Sequence, residues 1–208
     1  MKDKLQVESS VKDEQLIVTR RKQIVRAAIQ LFRVKGFHPT TTREIAASAG
    51  FSIGTLYEYI RSKDDVLYLV CDSIFEEVTS KITKFQTGEH TIGQLKKAIA
   101  AYYYLIDEML DEFTIMYQET KSLPKNTRAY ILDREYEMVS MFAELLRSCV
   151  ASGELALKEQ YILIAANQIV VQGQAWAFRN WAYKKDYKIE QFIEAQTELF
   201  LYGLKGFS

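Results

Sequence analysis

Two short helical patterns meet at a single glycine in the stretch TTTREIAASAGFSIGTLYEYI, residues 40–60. Thr41 and Glu44 form a capping-box pattern, in which a hydroxyl at the N-cap and a carboxylate three residues later satisfy free amides at a helix start. Gly50 follows the first pattern, and Ser52 is a suitable cap for the second. This spacing predicts two short helices joined by a three-residue turn, which are the proportions of a helix-turn-helix.

The same stretch divides into a buried face and an outward face. The apolar side chains that can pack between these helices and the preceding one are Ile45, Ile53, Leu56 and Ile60. The second short helix, which would enter the DNA major groove, leaves mostly hydroxyls and phenols outward: Ser52, Gly54, Thr55, Tyr57, Glu58 and Tyr59. Gly54 would let the backbone come near a base pair, and Thr55 offers a hydroxyl and a methyl group to base edges. The alternative is that the hydroxyls are only caps and the phenols only packing groups.

Charge is divided unevenly along the chain, although the net charge is zero. Residues 20–63 hold nine Lys and Arg against two Glu, whereas residues 64–208 hold 15 basic against 21 acidic side chains. A chain with one small basic module is suited to approach a polyanion by that end alone. Because charge runs are also common on ordinary solvated surfaces, this asymmetry supports nucleic-acid binding only together with the helix-turn-helix pattern.

Helical periodicity extends along the whole chain, which has two prolines, nine glycines and no strand-like alternation. The predicted helices cover residues 18–35, 42–49, 53–59, 63–84, 92–110, 111–121, 124–151, 158–183 and 189–204. The fold class is therefore all-α, with a three-helix head joined by a long helix to a larger helical body. We predict a flexible arm over residues 1–18, the head over 19–63, and a body that binds ligand and forms a dimer over 64–208.

The sequence carries no membrane or secretion signal that we recognise. No apolar run reaches 18 residues, and the start MKDKLQVESSVKDEQ is polar, so we expect a soluble, cytoplasmic protein without a membrane partner. Cys71 and Cys149 lie in apolar helical patterns, where buried free thiols are expected rather than a disulfide.

Helix starts that carry cationic or hydroxyl side chains are suited to phosphate oxygens. Thr41, Thr42 and Arg43 lie at one such start, and Lys63 lies at another. The residues predicted to bind DNA are Thr41, Thr42, Arg43, Ser52, Ile53, Gly54, Thr55, Tyr57, Tyr59 and Lys63.

A specific combination of motifs runs through residues 24–70: LF with a glycine-aromatic turn, TTTREIAASAG, S-x-G-T-L-Y-x-Y, and a Lys-Asp-Asp start to the connecting helix. Together they resemble the DNA-binding domain of TetR-family transcriptional regulators. The resemblance implies a homodimeric, ligand-released repressor whose DNA contacts are Thr42, Arg43, Thr55, Tyr57, Tyr59 and Lys63. Ile60 with Arg61 departs from the family pattern, which often has Phe and then a small or polar residue, and this affects only local packing.

Two apolar helical patterns near the carboxyl end, residues 158–183 and 189–204, could close an interface between two copies of the chain. Two such helices from each copy would form a four-helix interface, which the resemblance also implies, and would set the heads about 34–36 Å apart, one turn of DNA. The residues predicted at this interface are Ile169, Trp176, Phe192, Leu199 and Phe200. Burial within one chain is the alternative.

Polar side chains on otherwise apolar stretches of the body are candidates for a ligand pocket. Aromatic walls with a few polar anchors would recognise a small, largely apolar effector. The predicted pocket residues are Tyr103, Tyr117, Gln118, Asn167, Gln172, Trp176 and Arg179, each of which could instead be an ordinary core or surface residue.

The passages IMYQETKSLP and QIVVQGQAWAFRNWAYKKDYKIEQFIEAQTELFLYGL are similar to those of acyl-CoA-responsive members of the family that control fatty-acid or related degradation. This similarity implies an acyl chain among the apolar helices and CoA phosphates near Arg179, Lys184 or Lys185. The suspected effector is therefore a fatty acyl-CoA.

Enzymatic chemistry has little support in the sequence. His38 and His90 have no cysteine or carboxylate cluster at ligand spacing, so we predict no metal and no cofactor. No nucleophile elbow, phosphate-binding glycine loop or dinucleotide motif occurs, and we predict no catalytic residue. Two alternatives stay open, a helical protein-interaction module with a polyanion-binding head and an α-helical enzyme that uses Tyr117 or Glu119.

Overall fold

The computed structural model describes residues 7–87 and 91–207, and ten α-helices lie within them. They are α1 Glu14–Lys35, α2 Thr42–Ser48, α3 Ile53–Tyr57, α4 Lys63–Ile82, α5 Ile92–Glu108, α6 Leu110–Glu119, α7 Lys125–Ala151, α8 Glu159–Phe178, α9 Asn180–Asp186 and α10 Ile189–Leu204. Since these ranges contain no strand, the predicted all-α class is confirmed.

The start of α1 and the helix predicted over residues 158–183 differ most from the prediction. Helix α1 begins at Glu14, where the Asp13 side chain accepts a hydrogen bond from the Leu16 amide at 3.0 Å, so residues 14–18 are not a flexible arm. The single helix predicted over residues 158–183 is two helices, because Arg179 has φ −116° and ψ 25° and interrupts the helical backbone.

The described part of the chain divides into two compact units. The first contains residues 7–74 and 114–133, and the second contains residues 75–87, 91–113 and 134–207. The units therefore do not divide at the predicted boundary of residue 63, since residues 64–74 and 114–133 belong with the helix-turn-helix.

In the first unit, α1 packs on α2 and α2 packs on α3. The side chains between them, which include Ile24, Ile45, Leu56 and Ile60, have no exposed surface. This core fixes the orientation of α3, which has only five residues and little stability of its own.

In the second unit, α5 packs against α8 and α10. Gly173 allows the approach of α5 to α8, because a Cβ at that position would lie 2.7 Å from a ring carbon of Tyr103. Cys71 of the first unit and Cys149 of the second are both buried, and neither forms a disulfide. Within the described ranges, no helix combines the length and apolarity that a bilayer crossing requires.

Candidate nucleic-acid interface

The start of α2 is held by the capping box that the sequence predicts. The Thr41 amide donates to the Glu44 carboxylate at 2.9 Å, and the Glu44 amide donates to the Thr41 hydroxyl at 3.3 Å. Lys35, in the last turn of α1, forms an ion pair with the same carboxylate. The bond from Lys35, followed by those from Thr41, lowers the pKa of Glu44 to about 2. This carboxylate therefore remains charged at neutral pH and fixes the first turn of α2 against α1.

The turn between α2 and α3 is a Schellman motif. The Gly50 amide donates to the Ala47 carbonyl at 3.1 Å, and the Phe51 amide donates to the Ala46 carbonyl at 2.8 Å. Gly50 has φ +76°, although no atom beyond its two neighbouring residues lies within 4 Å of the place where its Cβ would be. Glycine is thus required by the backbone conformation and not by crowding, which confirms the predicted turn.

Ser52 caps α3 and also holds Thr55. The Ser52 hydroxyl accepts a hydrogen bond from the Thr55 amide at 3.0 Å, and the two side-chain hydroxyl oxygens are 2.9 Å apart. Gly54 is exposed beside them, and a Cβ there would meet only the Ser52 hydroxyl, at 3.6 Å. Neither a positive φ nor packing within the chain requires glycine at this position. Close approach of a second molecule would supply a reason for it.

Tyr57 is aligned by α2. Its phenol oxygen lies 3.1 Å from the Thr42 hydroxyl, yet 47% of Tyr57 is exposed. Ile53 is 36% exposed at the start of α3, so it is accessible rather than part of the core. The predicted DNA contacts that are exposed or partly exposed are Thr41, Thr42, Arg43, Ser52, Ile53, Gly54, Thr55 and Tyr57.

The prediction that Tyr59 faces outward is wrong. Helix α3 ends at Tyr57, and the Tyr59 amide donates to the Leu56 carbonyl at 3.0 Å as the chain turns inward. Tyr59 is only 4% exposed and belongs to the core of the first unit.

The predicted phosphate contact from Lys63 is also wrong. Its ammonium donates to three backbone carbonyls of the loop between α1 and α2, which are Phe37 at 2.8 Å, His38 at 2.9 Å and Thr40 at 2.8 Å. An ammonium group has three N–H donors, so these carbonyls occupy all of them. Burial lowers the pKa of Lys63. The three hydrogen bonds tie the start of α4 to this loop, so the ammonium serves a contact inside the chain.

The carboxyl end of α3 is held by residues 7–10, which we call the amino-terminal clip. The Ser10 amide and the Ser9 hydroxyl donate to the Glu58 carbonyl at 3.0 and 2.7 Å. Because the last carbonyls of a helix have no partner within it, the clip satisfies a group that would otherwise need water. The predicted flexible arm is therefore wrong for the clip as well; residues 1–6 lie outside the described part of the chain.

Arg21 connects the clip to the same helix end. Its guanidinium donates to the Tyr59 carbonyl at 3.0 Å and to the Val7 carbonyl at 2.6 Å. Burial lowers the pKa of Arg21, with opposing contributions from nearby acidic groups. The sequence analysis treated Arg21 only as part of the basic charge, because nothing in the local pattern links it to partners 14 and 38 residues away.

The seven predicted ligand residues are divided between the two units. Tyr117 and Gln118 are exposed and belong to the first unit, whereas the other five belong to the second. Asn167 is exposed, and its amide donates to the Leu163 carbonyl one turn earlier in α8. Arg179 is exposed and lies over the Trp181 ring, 5.7 Å from its centroid.

Tyr103 and Trp176 lie in the core of the second unit. The Tyr103 phenol donates to the Ile169 carbonyl at 3.1 Å, and the Trp176 indole donates to the Asp107 carboxylate at 2.8 Å. Lys184 forms an ion pair with the same carboxylate at 2.9 Å. Burial would raise the pKa of Asp107, but the bonds from Lys184 and Trp176 outweigh it and lower the pKa. These groups therefore have internal partners.

An open groove of about 560 Å³ runs between α8 and α10. Its lining is mostly apolar and includes Tyr161, Ile164, Gln168, Gln172, Leu199 and Phe200. Leu199 is 67% exposed, so its side chain is accessible, and its place in a dimer interface stays a prediction. The predicted interface residues Ile169, Trp176 and Phe192 are at most 4% exposed, so those three predictions are wrong. One face of each helix is buried within its own chain.

The polar side chains near His38 make no metal site. The His38 ring nitrogen lies 3.1 Å from the Ser122 hydroxyl and 3.7 Å from the Glu119 carboxylate. Among the described residues, no group of three or more His, Cys, Asp or Glu side chains is placed to hold a metal ion. His90, the other histidine considered from the sequence, lies outside the described residues.

Comparisons with known proteins cover both parts of the chain. The family model of bacterial regulatory proteins, tetR family, matches residues 24–68, and that of the tetracyclin repressor-like C-terminal domain matches residues 88–176. The HTH-type transcriptional regulator HbdR of Aromatoleum sp. (strain CIB) is 33% identical over 189 residues, which span 90% of this chain and 82% of that protein.

Two solved structures share the fold. The crystal structure of AibR in complex with isovaleryl coenzyme A and operator DNA has a TM-score of 0.73 at 19% identity and covers 88% of this chain and 98% of its own. The transcriptional regulator FadR from Bacillus subtilis in complex with stearoyl-CoA has a TM-score of 0.74 at 18% identity, with the same coverage of both chains.

Proposed function

Because this chain belongs to the TetR family of transcriptional regulators, we propose that it represses transcription in the cytoplasm by binding a palindromic operator as a homodimer. The observation that carries this proposal is the accessible face of α3. There Thr55 and Tyr57 are exposed in part but held by Ser52 and Thr42, and Gly54 has no internal reason to be glycine.

In this proposal the two short helices have different roles. Thr41, Thr42 and Arg43 contact phosphates at the start of α2, where backbone amides and a cation suit an anion. Helix α3 enters the major groove with Ser52, Ile53, Gly54, Thr55 and Tyr57. The basic excess of residues 20–63 attracts the DNA backbone without regard to sequence.

DNA binding is tested with an operator selected from a random duplex library. We expect Thr55→Ala to lower affinity for that operator about tenfold and for random duplex much less, because a base contact carries sequence information. Tyr57→Phe should lower both affinities about equally. Thr79→Ala, at an exposed position of α4, is the matched control.

Salt dependence separates this function from that of a general polyanion-binding module. The logarithm of affinity should fall with the logarithm of salt concentration at about −0.9 per phosphate contacted. Equal attraction to any polyanion, with no preferred duplex and no effect of either α3 variant, would contradict the groove assignment.

The dimer part of the proposal rests on the groove between α8 and α10. An exposed apolar surface of this kind marks a protein or ligand interface. A second copy placing its own α8 and α10 there would bury Leu199 and Phe200. Leu199→Asp should raise the dimer dissociation constant at least tenfold in sedimentation experiments, whereas Leu132→Asp, at another exposed leucine, should not. A wild-type monomer at micromolar concentration would contradict the proposal.

We further propose that an acyl-CoA releases the repressor from DNA. Support comes from the AibR and FadR complexes, whose bound ligands are acyl-CoA thioesters, and from the two passages that resemble acyl-CoA-responsive members. The ligand must bind the DNA-incompetent conformation more tightly, since equal affinity for two conformations shifts nothing. In a thermal-shift series of acyl-CoAs of different chain lengths and free fatty acids, stabilisation by no thioester would contradict the acyl-CoA assignment.

A further inference from the structure

The amino-terminal clip, residues 7–10, holds the carboxyl end of α3 by one carbonyl group. The Glu58 carbonyl, at the C-cap of α3, accepts hydrogen bonds from the Ser10 amide at 3.0 Å and from the Ser9 hydroxyl at 2.7 Å. The Ser9 oxygen in turn accepts a hydrogen bond from the Val11 amide at 3.2 Å, which orients the hydroxyl. Two consecutive residues of the clip therefore bond the same carbonyl at the end of the helix.

An ion pair attaches the clip a second time. The Arg61 guanidinium lies 2.6 Å from the Glu8 carboxylate. The Arg61 amide donates to the carboxylate of Asp65, in the first turn of α4, at 2.7 Å. Arg61 is one of the two residues at which the sequence departs from the TetR-family pattern. The structure thus gives this departure a partner, and that partner belongs to the clip.

Arg21 of α1 completes the attachment. Its guanidinium donates to the Val7 carbonyl at 2.6 Å and to the Tyr59 carbonyl at 3.0 Å. The clip is therefore bonded to α1 through Arg21, to the residues just before α4 through Arg61, and to the end of α3 through the Glu58 carbonyl. A shift of the carboxyl end of α3 requires at least one of these bonds to break.

The bonds of the clip are suited to orient α3 rather than to stabilise the fold. The side chains of Glu8 and Arg61 are 72% and 66% exposed, and the bond from Ser9 is exposed as well. Exposed ion pairs and hydrogen bonds contribute little to the free energy of unfolding, because water replaces either partner when the bond opens. They nevertheless fix direction, and a binding surface requires its side chains to be held to within about 0.5 Å.

The orientation of α3 matters because the helix is short. It has five residues, less than two turns, and Thr55 at its centre is the proposed base contact. The amino end of α3 is held by Ser52, and Tyr57 is aligned by Thr42 of α2. The clip provides the restraint at the carboxyl end. A rotation of α3 about its amino end would change the distance from Thr55 to a base edge.

We propose that the clip determines how well α3 distinguishes its operator from other duplexes, an inference that rests on the DNA binding proposed above. Glu8, Ser9 and Arg61 are positioning residues, because they act through the orientation of α3. With the clip attached, Thr55 meets base edges at a fixed distance. With the clip released, the phosphate contacts proposed for α2 persist, so affinity for the operator falls toward that for random duplex.

The first test reverses the ion pair between the clip and Arg61. Fluorescence anisotropy would measure the affinity of the full-length protein for the selected operator and for random duplex. Glu8→Arg and Arg61→Glu each place like charges together, and each should lower the operator-to-random affinity ratio about fivefold. Affinity for random duplex should rise in the first variant and fall in the second, since their charge changes have opposite signs. The double variant restores the pair and the net charge, so its ratio should return to within about twofold of the wild type.

The second test removes one hydroxyl of the clip. Ser9→Ala should lower the affinity ratio about threefold, because the Glu58 carbonyl loses a donor. Affinity for random duplex and its slope against salt concentration should stay unchanged, since no phosphate contact is removed. Ser9→Thr retains the hydroxyl and should retain the ratio. Thr19→Ala, which removes an exposed hydroxyl that donates to the Gln15 carbonyl within α1, is the matched control.

Two results for Ser9→Ala would assign the clip a different role. Equal losses of operator and random affinity, together with a lower thermal midpoint, would show that the clip only stabilises the fold. Loss of both affinities with a salt slope shallower by about 0.9 would show that Ser9 contacts a phosphate directly. Either result would overturn the proposal.

The charge variants can also overturn it. A double variant with a ratio as low as those of the single variants would show that the ion pair does not position α3. Unchanged ratios in Ser9→Ala and in both single charge variants would refute the role of the clip while leaving operator binding intact. A selection that yields no preferred duplex would instead overturn the DNA-binding function on which this inference rests.

Discussion

Gly54 in α3 and Gly173 in α8 differ in what surrounds the position where a side chain would begin. At Gly54 a Cβ would meet only the Ser52 hydroxyl at 3.6 Å, whereas at Gly173 it would lie 2.7 Å from Tyr103 and 2.8 Å from Ile106. The glycine of α8 serves a contact inside the chain. The glycine of α3 serves no such contact, which is why the exposed face of α3 is the better candidate for meeting another molecule.

Polar side chains in the two regions differ in a similar way. In the helix-turn-helix, a hydroxyl and a carboxylate pair over a short separation, as Thr41 does with Glu44 three residues later. In the second unit, Trp176 pairs with Asp107 across 69 residues. Local pairs can be recognised in a sequence by spacing alone, whereas pairs between distant helices depend on how those helices pack.

The largest expected effect is at Gly173. Gly173→Ala places a methyl group inside contact distance of two side chains, so it should reduce the free energy of unfolding by about 1–3 kcal/mol. Chemical denaturation would measure the change. Gly93→Ala in the first turn of α5, where a Cβ has 3.6 Å to its nearest neighbour, is the matched control and should be neutral or slightly stabilising. If Gly173→Ala and Gly93→Ala were equally stable, the close approach of α5 to α8 would not require glycine at position 173.

Gly54→Ala should separate DNA binding from folding. The free energy of unfolding should rise by at most about 1 kcal/mol, because the methyl group has room and alanine favours the helix. Operator affinity should nevertheless fall about tenfold if the DNA approaches this backbone closely, as a fluorescence-anisotropy titration would show. Gly50→Ala should instead lose about 1–2 kcal/mol of stability, since its φ is +76°. Unchanged operator affinity of Gly54→Ala would argue against close approach.

Removal of the Arg21 guanidinium should loosen the end of α3 without unfolding the unit. Arg21→Met leaves the Tyr59 and Val7 carbonyls without this donor. We therefore expect the free energy of unfolding to fall by about 1 kcal/mol. Hydrogen exchange should become faster at the amides of α3 and of residues 7–10. Lys22→Met, at an exposed neighbouring cation, is the control, and similar exchange in both variants would show that the clip does not position α3.

The smallest expected effect concerns Glu44. Its carboxyl should titrate near pH 2 in the folded protein, and Lys35→Met should move that midpoint upward, as followed by NMR. Because the folded pKa lies below the ordinary value of 4.5, the stabilisation is present above pH 4.5 and is lost as pH falls from there toward 2. Glu44→Gln should remove that part of the pH dependence while retaining a capping side chain. A midpoint near 4.5 in the wild-type protein would contradict the ion pair.

Much of the helix-turn-helix could be predicted because its determinants are local. The caps at Thr41 and Ser52 and the turn at Gly50 depend on residues within a few positions of one another. The clip could not be predicted, because Arg21 and Ser9 find their partners across 38 and 49 residues.

The body was predicted less well, because an apolar stripe on a helix does not identify whether another helix of the same chain or a second molecule packs against it. Trp176 and Leu199 both lie on apolar helical patterns, yet the first is 1% exposed and the second 67%. The helix break at Arg179 was missed because no glycine or proline marks it. The hydrogen bond from the Gln174 amide to the Glu135 carboxylate is visible only once α7 and α8 are folded, since the two residues lie 39 positions apart.

The three carbonyl bonds of Lys63 have a mechanical consequence. They attach the first turn of α4, a helix of 20 residues, to the loop that leads into α2, so the two must move together. A helix of that length spans about 30 Å. A rotation of α4 by about 10° about its carboxyl end would therefore move its amino end by about 5 Å. In the repressor proposed above, an effector that rotated α4 by this angle would displace the α2 and α3 surface by more than the rise of about 3.4 Å between successive base pairs.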